Sequence, residues 1–238
     1  MAEEKTKTVD DLRVLIVIPA YNEEENILNV VRTVEAAGYD YVVINDGSHD
    51  DTARICREND INFVDLSQNL GIGGAVQTGH LYALQHGYDV DIQIDGDGQH
   101  DISYVPRLLE KIREGYGLVI GSRFVERTEG FQSTAMRRAG INWLKGCIKR
   151  HSGLTVTDAT SGFRASGRKA IELFAEHYPV DYPEPESIIY AHNHGVSVCE
   201  VPVVMRERQG GKSSISPLKG AYYMIKVTLA IAIESMNK

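Results

Sequence analysis

Apolar residues follow two alternating patterns along the first hundred residues of the chain. Short unbroken apolar runs, of which Val14–Ile18 is the first, alternate with stretches whose apolar residues recur every three or four positions. Unbroken runs are typical of strands buried on both faces of a parallel sheet, and the second pattern is typical of amphipathic helices. The chain therefore predicts an open, mostly parallel α/β sheet flanked by helices.

The predicted elements continue, less regularly, to the end of the chain. Strands are predicted at 14–18, 41–44, 62–65, 91–94, 117–120 and 196–204, and helices at 23–37, 71–85, 105–114, 137–149, 168–175, 187–193 and 218–233, with a further helix that ends near residue 59. Pro183 and Pro185 exclude the interior of a helix from the segment 182–186, but they allow a helix to start there.

The composition is that of an ordinary globular protein with an acidic balance. The 238 residues are 42% hydrophobic and 24% charged, and the formal net charge is −8, which argues against nucleic acid as a partner. Cys56, Cys147 and Cys199 are widely spaced and favour a reducing compartment. The charged N-terminal segment is unlike a signal peptide, so we expect a cytoplasmic protein.

Polar residues follow each of the first four predicted strands, at the point where the strand ends. The segments are Pro19–Glu23, Asn45–Ser48, Asn69–Ala75 and Asp95–Asp97. Parallel strands bring their carboxyl ends to one edge of a sheet, so these segments can surround one ligand. Each segment alone also has a structural explanation, such as a tight turn at Asp46 and Gly47, but one shared site explains all four together.

Asp95 and Asp97 are separated by a single glycine. Two carboxylates this close repel each other unless a cation lies between them, and Mg²⁺ typically combines one or two protein carboxylates with phosphate oxygens. The pair therefore indicates a site for a metal and a diphosphate. Two other nucleotide-binding motifs do not occur. A dinucleotide fingerprint that starts at Gly71 and Gly73 needs a third glycine at position 76, which is Val, and the chain contains no Walker sequence.

Six segments, in order along the chain, resemble the family 2 glycosyltransferases, which have the GT-A fold. Four of them match the donor-binding half of that family, and the last two resemble its dolichol-phosphate mannosyltransferase branch. They are VIPAYNEE (17–24), NDGS (45–48), NLGIGGA (69–75), DGDGQH (95–100), GSRF (121–124) and DATSGFR (158–164). The resemblance implies a GT-A domain over 1–216, with a donor half at about 13–125 and an acceptor half at about 126–216, followed by a C-terminal helix at 217–238.

The resemblance also implies an inverting transferase that uses a sugar linked to UDP, GDP or dTDP. The implied donor-binding residues are Pro19, Tyr21, Glu23, Asp46, Asn69, Gly73 and Asp95, and the implied ligands of Mg²⁺ or Mn²⁺ are Asp95, Asp97 and Gln99. A divalent cation at this position would neutralise the charge that develops on the leaving diphosphate.

Two classes of acceptor stay open. A polyprenyl phosphate offers an anionic oxygen that arginines position, for which the candidates are Arg123, Arg137, Arg138 and Arg164, with Asp158 of the same motif as a catalytic candidate. A saccharide hydroxyl needs a general base, and the spacing back from Gly195 places the family's acidic residues at Glu184, the preferred base, and Glu186. This acidic pair favours transfer to a lipid-linked saccharide in cell-surface polysaccharide assembly.

Two non-transferase interpretations are weaker. A sugar nucleotidyltransferase would need a glycine- and arginine-rich loop after the first strand, and Pro19–Glu23 is not one. A non-catalytic module that only binds sugar nucleotides would not need both Asp95 and Asp97.

The last forty residues carry two further expectations. Arg206 and Lys212 lie in a glycine-rich loop that we expect to close over the diphosphate. The apolar stretch 221–233 is shorter than the roughly 20 residues that a membrane-spanning helix requires. It can be a core helix, a homodimer contact, or an interfacial helix that docks on the cytoplasmic face of the membrane beside a lipid-linked acceptor.

Overall fold

A seven-stranded mixed sheet with helices on both faces forms the framework of the molecule. The computed structural model describes residues 12–125, 135–180, 183–205 and 226–233, and for 135–139 it describes the backbone alone. The strands are β1 (Val14–Ala20), β2 (Asp40–Asn45), β3 (Phe63–Asp65), β4 (Val90–Gln93), β5 (Leu118–Ser122), β6 (Arg164–Gly167) and β7 (Val198–Pro202).

The strand order is β3-β2-β1-β4-β6-β5-β7. β6 runs antiparallel to both of its neighbours, β4 and β5, and every other pair in the sheet is parallel. The predicted open, mostly parallel sheet is therefore confirmed. Strands from the two predicted halves of the domain interleave in this one sheet, because β6 lies between two strands of the donor half.

β6 is the strand that the sequence pattern did not predict. Its four residues, Arg-Ala-Ser-Gly, contain one apolar side chain, so they form neither an apolar run nor an alternating pattern. Arg164 pairs with Gln93, the last residue of β4, and Ala165 pairs with Ile92 and Val119. Because β6 is antiparallel, the loop that precedes it lies at the carboxyl end of β4.

Each predicted helix has a counterpart in the structure. The helices are α1 (Ile27–Ala36), α2 (Thr52–Glu58), α3 (Gly71–Gln85), α4 (Val105–Arg113), α5 (Ala135–Ser152), α6 (Arg168–Glu176), α7 (Pro183–Asn193) and α8 (226–233), with a short 3₁₀ turn at Ile102–Tyr104. α7 begins at Pro183, four residues earlier than predicted. Both prolines lie in its first turn, where a backbone N–H has no partner within the helix.

The central strand β1 is buried on both of its faces. Ile16 and Ile18 belong to a core that also contains apolar residues of α1 and α4, whereas Leu15 and Val17 pack on the side of α3. A third cluster lies under α5, α6 and α7. Alternating burial of this kind accounts for the unbroken apolar run that predicted the strand.

The C-terminal helix packs against the core along one of its sides. Val227 and Ile231 of α8 are buried in the same cluster as Leu144 and Ile148 of α5. The remainder of the predicted helix, 217–225 and 234–238, lies outside the described residues. Among the helices that the structure describes, none has the length and apolarity needed to cross a bilayer.

Candidate functional site

The polar segments that follow β1, β2 and β4 contact one another at one edge of the sheet. The backbone N–H of Asp46 donates to the carbonyl of Ala20 at 2.9 Å, and the N–H of Asn22 donates to the hydroxyl of Ser48 at 2.9 Å. A Cβ added to Gly96 would lie 3.1 Å from the carbonyl oxygen of Pro19 and 3.3 Å from Cγ of Glu23. The structure therefore brings these strand ends together, as the parallel pairing predicts.

Asp46 fastens the segment that precedes α3. Its side chain is buried, and one carboxylate oxygen accepts the backbone N–H of Leu70 at 2.7 Å. Burial raises the pKa of Asp46, while the backbone N–H groups of Leu70 and Gly71 oppose that shift. Asn69 accepts the N–H of Gly71 at 3.0 Å, so the predicted residues Asp46 and Asn69 hold one turn.

A cavity of about 560 Å³ opens beside this turn. It is lined by the ends of β2 and β3 and by the start of α2, with Asn45, Ser48, Arg57, Asp65 and Asn69 among its walls. The amide nitrogen of Asn45 donates to Asp65 at 2.6 Å, and its amide oxygen is buried without a hydrogen-bond partner in the described part of the chain. The polar residues of the cavity walls suit the hydroxyl groups and the base of a nucleoside.

Tyr21 and Glu23 border the same edge. Tyr21 is 44% exposed, and its ring meets the ring of His49 edge to face. Glu23 accepts the side-chain amide of Asn26 at 2.9 Å, and its backbone N–H donates to Thr52 at 2.9 Å. An exposed aromatic ring at this point can stack on a flat ligand group.

Asp95 presents a partly exposed carboxylate at the end of β4. Its side chain is 37% exposed, one oxygen accepts the side-chain amide of Gln93 at 3.1 Å, and its backbone N–H donates to Nδ1 of His100 at 3.1 Å. His100 is buried and stacks on Phe163 with 5.0 Å between the ring centroids. These contacts fix the orientation of Asp95 while leaving part of its carboxylate open.

The predicted metal ligands fit a divalent cation that also binds diphosphate oxygens. Asp97 is buried and accepts the backbone N–H of Gln99 at 3.0 Å, so Asp95 is the more open of the two carboxylates. Within the described residues, no three His, Cys, Asp or Glu side chains form a metal cage. Two carboxylates and an amide match the chemistry of Mg²⁺ or Mn²⁺ sites that take their remaining ligands from phosphate and water.

Gly162 leaves space beside the Asp95 carboxylate. A Cβ at this position would lie 3.2 and 3.4 Å from the two carboxylate oxygens and 2.9 Å from the side-chain nitrogen of Gln93. Any larger residue would displace one of these groups. The segment 158–164, which resembles one branch of the family, thus forms one wall of the predicted metal site.

Glu184 of α7 lies near Arg164, the last residue of this segment. Arg164 is buried, and its guanidinium donates to the carbonyls of Ser161 and Ala159 and to the hydroxyl of Ser187. Burial raises the pKa of Glu184, the positive charge of Arg164 opposes the shift, and the negative charge of Asp95 adds to it. Glu184 and Asp95 are therefore near enough to interact, although they come from distant parts of the sequence.

Glu186 lies at a different place. It lines a small cavity of about 180 Å³ with Val180 and three residues of α8, Lys226, Val227 and Ala230. Both acids lie in the first turn of α7, next to Pro183 and Pro185. The charge of Glu184 interacts with that of Asp95.

Arg123 is held by Asp158, which in turn is held by Glu200. Asp158 is fully buried and accepts Nε of Arg123 at 2.6 Å, Nη2 at 2.7 Å and the backbone N–H at 3.2 Å. Burial alone would raise the pKa of Asp158, but the guanidinium of Arg123 holds it below its usual value. These contacts favour a positioning role for Asp158 over direct contact with a substrate.

Sequence reasoning missed Glu200. This residue of β7 accepts the backbone N–H groups of Thr157 and Asp158, each at 2.7 Å. It therefore fixes the loop that carries Asp158, and through Asp158 it fixes Arg123. The only signal in the sequence is an acidic residue inside an apolar strand, and that signal does not reveal its partner.

The remaining predicted residues divide into two groups. Gly73 packs closely on the backbone before α7, because a Cβ there would lie 2.1 Å from the carbonyl oxygen of Pro179 and 2.4 Å from that of Val180. Close packing thus accounts for this glycine without a ligand. The second group lies outside the described side chains. It consists of the predicted residues Arg137, Arg138, Arg206 and Lys212.

Comparison with known proteins identifies the family. Residues 15–174 match the family model described as Glycosyl transferase family 2. The chain is 33% identical over 216 residues to the undecaprenyl-phosphate mannosyltransferase of Micrococcus luteus, covering 86% of this chain and 88% of that protein. It is 30% identical over 214 residues to the UDP-N-acetylglucosamine–dolichyl-phosphate N-acetylglucosaminyltransferase of Methanococcus voltae, covering 81% and 85%.

Solved structures share the fold. The crystal structure of glucosyl-3-phosphoglycerate synthase from Mycobacterium tuberculosis with UDP gives a TM-score of 0.71 at 18% identity, covering 96% of this chain and 84% of that chain. The same enzyme with Mn²⁺, UDP-glucose and phosphoglyceric acid gives 0.70 at 20% identity, with the same coverage. The chain belongs to glycosyl transferase family 2 and is an enzyme with the GT-A fold that its sequence predicts.

Proposed function

We propose that this enzyme transfers a sugar from a nucleotide-diphosphate donor to a polyprenyl phosphate, with Mg²⁺ or Mn²⁺ as its cofactor. The observation that carries the proposal is the open carboxylate of Asp95 at the end of β4. It lies beside Gly162 and within the electrostatic reach of Glu184. A metal-bound diphosphate at this carboxylate would lie at the junction of the donor and acceptor halves.

The choice of acceptor is supported by the relatives and by Arg123. The two relatives described above are named for transfer to undecaprenyl phosphate and to dolichyl phosphate. Arg123 is held at a fixed orientation by Asp158, and its side chain is 13% exposed. Asp158 occupies Nε and Nη2 of this rigidly held guanidinium, so Nη1 is the nitrogen that suits contact with the phosphate of an acceptor.

The transfer requires little proton chemistry from the protein. The cavity beside Asp46 would hold the nucleoside, and Asp95, Asp97 and Gln99 would hold the metal. When bound, the cation would neutralise the negative charge that develops on the leaving nucleoside diphosphate. Arg123 aligns the acceptor phosphate, whose anionic oxygen attacks the anomeric carbon as the bond to the diphosphate breaks, which inverts that carbon.

A second candidate acceptor is the hydroxyl of a lipid-linked saccharide, as the acidic segment of α7 predicts. The observation that favours it is the raised pKa of Glu184, which would make this carboxylate a better general base. A hydroxyl nucleophile must lose its proton during attack, whereas a phosphate oxygen need not. The role of Glu184 therefore discriminates between the two acceptors.

A donor screen tests the proposal as a whole. Purified enzyme is incubated with a short-chain polyprenyl phosphate and with UDP-, GDP- or dTDP-sugars, and release of nucleoside diphosphate is followed with Mn²⁺ or Mg²⁺ and with EDTA. We expect release from one donor class, dependent on the acceptor and abolished by EDTA. Calorimetry that detects no binding of any of these nucleotides, with or without metal, would contradict the proposal.

Replacement of Glu184 by Gln tests the acceptor. With polyprenyl phosphate we expect turnover within about tenfold of the unchanged enzyme, because the nucleophile is already anionic and needs no base. Loss of about 10²–10⁴-fold, the usual effect of removing a general base, would favour the saccharide acceptor instead. Glu186→Gln, in the same helical turn, is the matched control.

The same variant has an expected effect on stability. The raised pKa of Glu184 means that the folded state binds its proton more tightly than the unfolded state does, so the free energy of unfolding falls as pH rises through that raised pKa. Glu184→Gln should therefore unfold at a higher temperature than the unchanged enzyme at pH 8 and at a similar temperature at pH 4. An equal difference at both pH values would show that ionisation of Glu184 is not the cause.

Gly162→Ala tests the metal site. The added methyl would crowd both carboxylate oxygens of Asp95, so we expect the Mn²⁺ concentration for half-maximal activity to rise about 10- to 100-fold, as when groups that orient metal ligands are lost. Gly146→Ala in α5 is the control, because a Cβ there meets nothing within 4 Å. If both variants needed the same Mn²⁺ concentration for half-maximal activity, the space at Gly162 would not matter for metal binding.

Glu200→Gln tests the positioning of Arg123. An amide can accept only one of the two backbone N–H groups that the carboxylate holds, so the loop at Asp158 should loosen and the KM for acceptor should rise about tenfold. We expect the dissociation constant of the donor, measured by calorimetry, to stay unchanged. A surface acid, Glu172, supplies the control variant Glu172→Gln. Equal losses of donor and acceptor binding would indicate general destabilisation.

A further inference from the structure

Several large apolar side chains are exposed on one part of the surface. Trp143 of α5 is 58% exposed, Leu229 and Ile233 of α8 are 58% and 61% exposed, and Val180 before α7 is 61% exposed. We call these four residues the apolar strip. Single exposed apolar residues are ordinary, but a group on adjoining elements marks an interaction surface.

Contacts within the structure connect the strip. The indole nitrogen of Trp143 donates to the hydroxyl of Thr228 at 3.0 Å, which joins α5 to α8 and fixes one end of the ring. Val180 shares a small cavity with Val227 and Ala230 of α8 and with the charged residues Glu186 and Lys226. The elements that carry the strip are therefore adjacent, from α5 across α8 to the segment before α7.

The strip also adjoins the candidate active site. The backbone carbonyl of Val180 lies against Gly73 in the first turn of α3, and Leu70 and Ile72 beside it are 41% and 38% exposed. Asn69, which borders the nucleoside cavity, immediately precedes this turn. A surface in contact with the strip would consequently lie near the turn that borders the nucleoside cavity.

The charge of α5 differs in sign from that of the whole protein. Its 18 residues contain five Lys or Arg and no Asp or Glu, whereas the chain has a formal net charge of −8. Lys149 and Arg150 are exposed on this helix, as is Trp143. Exposed Trp, Leu and Ile next to Lys and Arg are characteristic of surfaces that lie in the interface of an anionic bilayer.

We propose that the apolar strip and the cationic face of α5 dock on the surface of an anionic lipid bilayer. The inference rests on the proposed function, because a polyprenyl phosphate presents its phosphate at the level of the lipid headgroups. Docking through the strip would hold the turn beside the nucleoside cavity near that level. A second copy of the chain fits this surface less well, because a two-fold interface would place the cations of both α5 helices opposite each other.

Co-sedimentation with lipid vesicles tests the proposal. The full chain is mixed with vesicles of phosphatidylcholine alone or with 30% phosphatidylglycerol added, about 30% being an anionic content that gives a substantial surface potential. We expect binding to the anionic vesicles that weakens with added salt. The double variant Trp143→Ser/Leu229→Ser should bind both vesicle types at least about tenfold more weakly.

A second double variant separates charge from apolar contact. Lys149→Glu/Arg150→Glu should lose the preference for anionic vesicles, with a decrease of about tenfold or more, since each cation near such a surface contributes about fivefold. Controls are Leu81→Ser, about two and a half turns beyond Ile72 on α3, and Arg32→Glu on α1. Both controls change exposed residues outside the strip and should bind like the unchanged chain.

Two results would overturn the proposal. The first is an unchanged chain that does not sediment with anionic vesicles, or strip variants that bind as well as the controls. The second is a dimer of the unchanged chain, measured by light scattering without lipid, that Trp143→Ser/Leu229→Ser converts to a monomer. Transfer to a short-chain acceptor in solution, which the strip variants should retain, distinguishes loss of docking from failure of the proposed function.

Discussion

The pairing of β6 between β4 and β5 is the constraint on which the candidate site depends. Because β6 runs against both neighbours, the loop before it turns back at the end of β4 and lies against Asp95. Gly162 then borders the carboxylate, Arg164 lies near Glu184, and Asp158 reaches Arg123. A single short antiparallel ladder thereby joins the part of the chain that suits a nucleotide to the part that suits an acceptor.

The charges of the site are arranged in two different ways. Asp158 and Arg123 form a buried ion pair in which each group is satisfied by the other, and Glu200 holds the backbone on which Asp158 lies. Glu184, in contrast, has a pKa raised mainly by burial, and the positive charge of Arg164 opposes that shift more strongly than the negative charge of Asp95 adds to it. The first arrangement suits rigid positioning, and beside the second the partly exposed carboxylate of Asp95 is the group that suits a divalent cation.

The sequence predicts those parts of the fold that depend on local pattern or on parallel geometry. The buried run of β1 and the polar residues after four strands suffice to place the predicted metal and nucleotide residues at one edge, because parallel strands share that edge. β6 has no such pattern, and its place is set by backbone pairing with strands distant in the chain. The contacts of Glu200, the space beside Gly162 and the different surroundings of Glu184 and Glu186 likewise arise only from tertiary packing.

The late position of β6 in the chain has a consequence for synthesis of the protein. Until residues 164–167 leave the ribosome, β4 has one edge without a hydrogen-bonding partner and β5 has no partner on either edge, and such edges are prone to pair with other chains. In a nascent chain or fragment that stops after β5, this strand would therefore have no place in the sheet. The donor half is therefore expected to be unable to exist as a stable domain by itself.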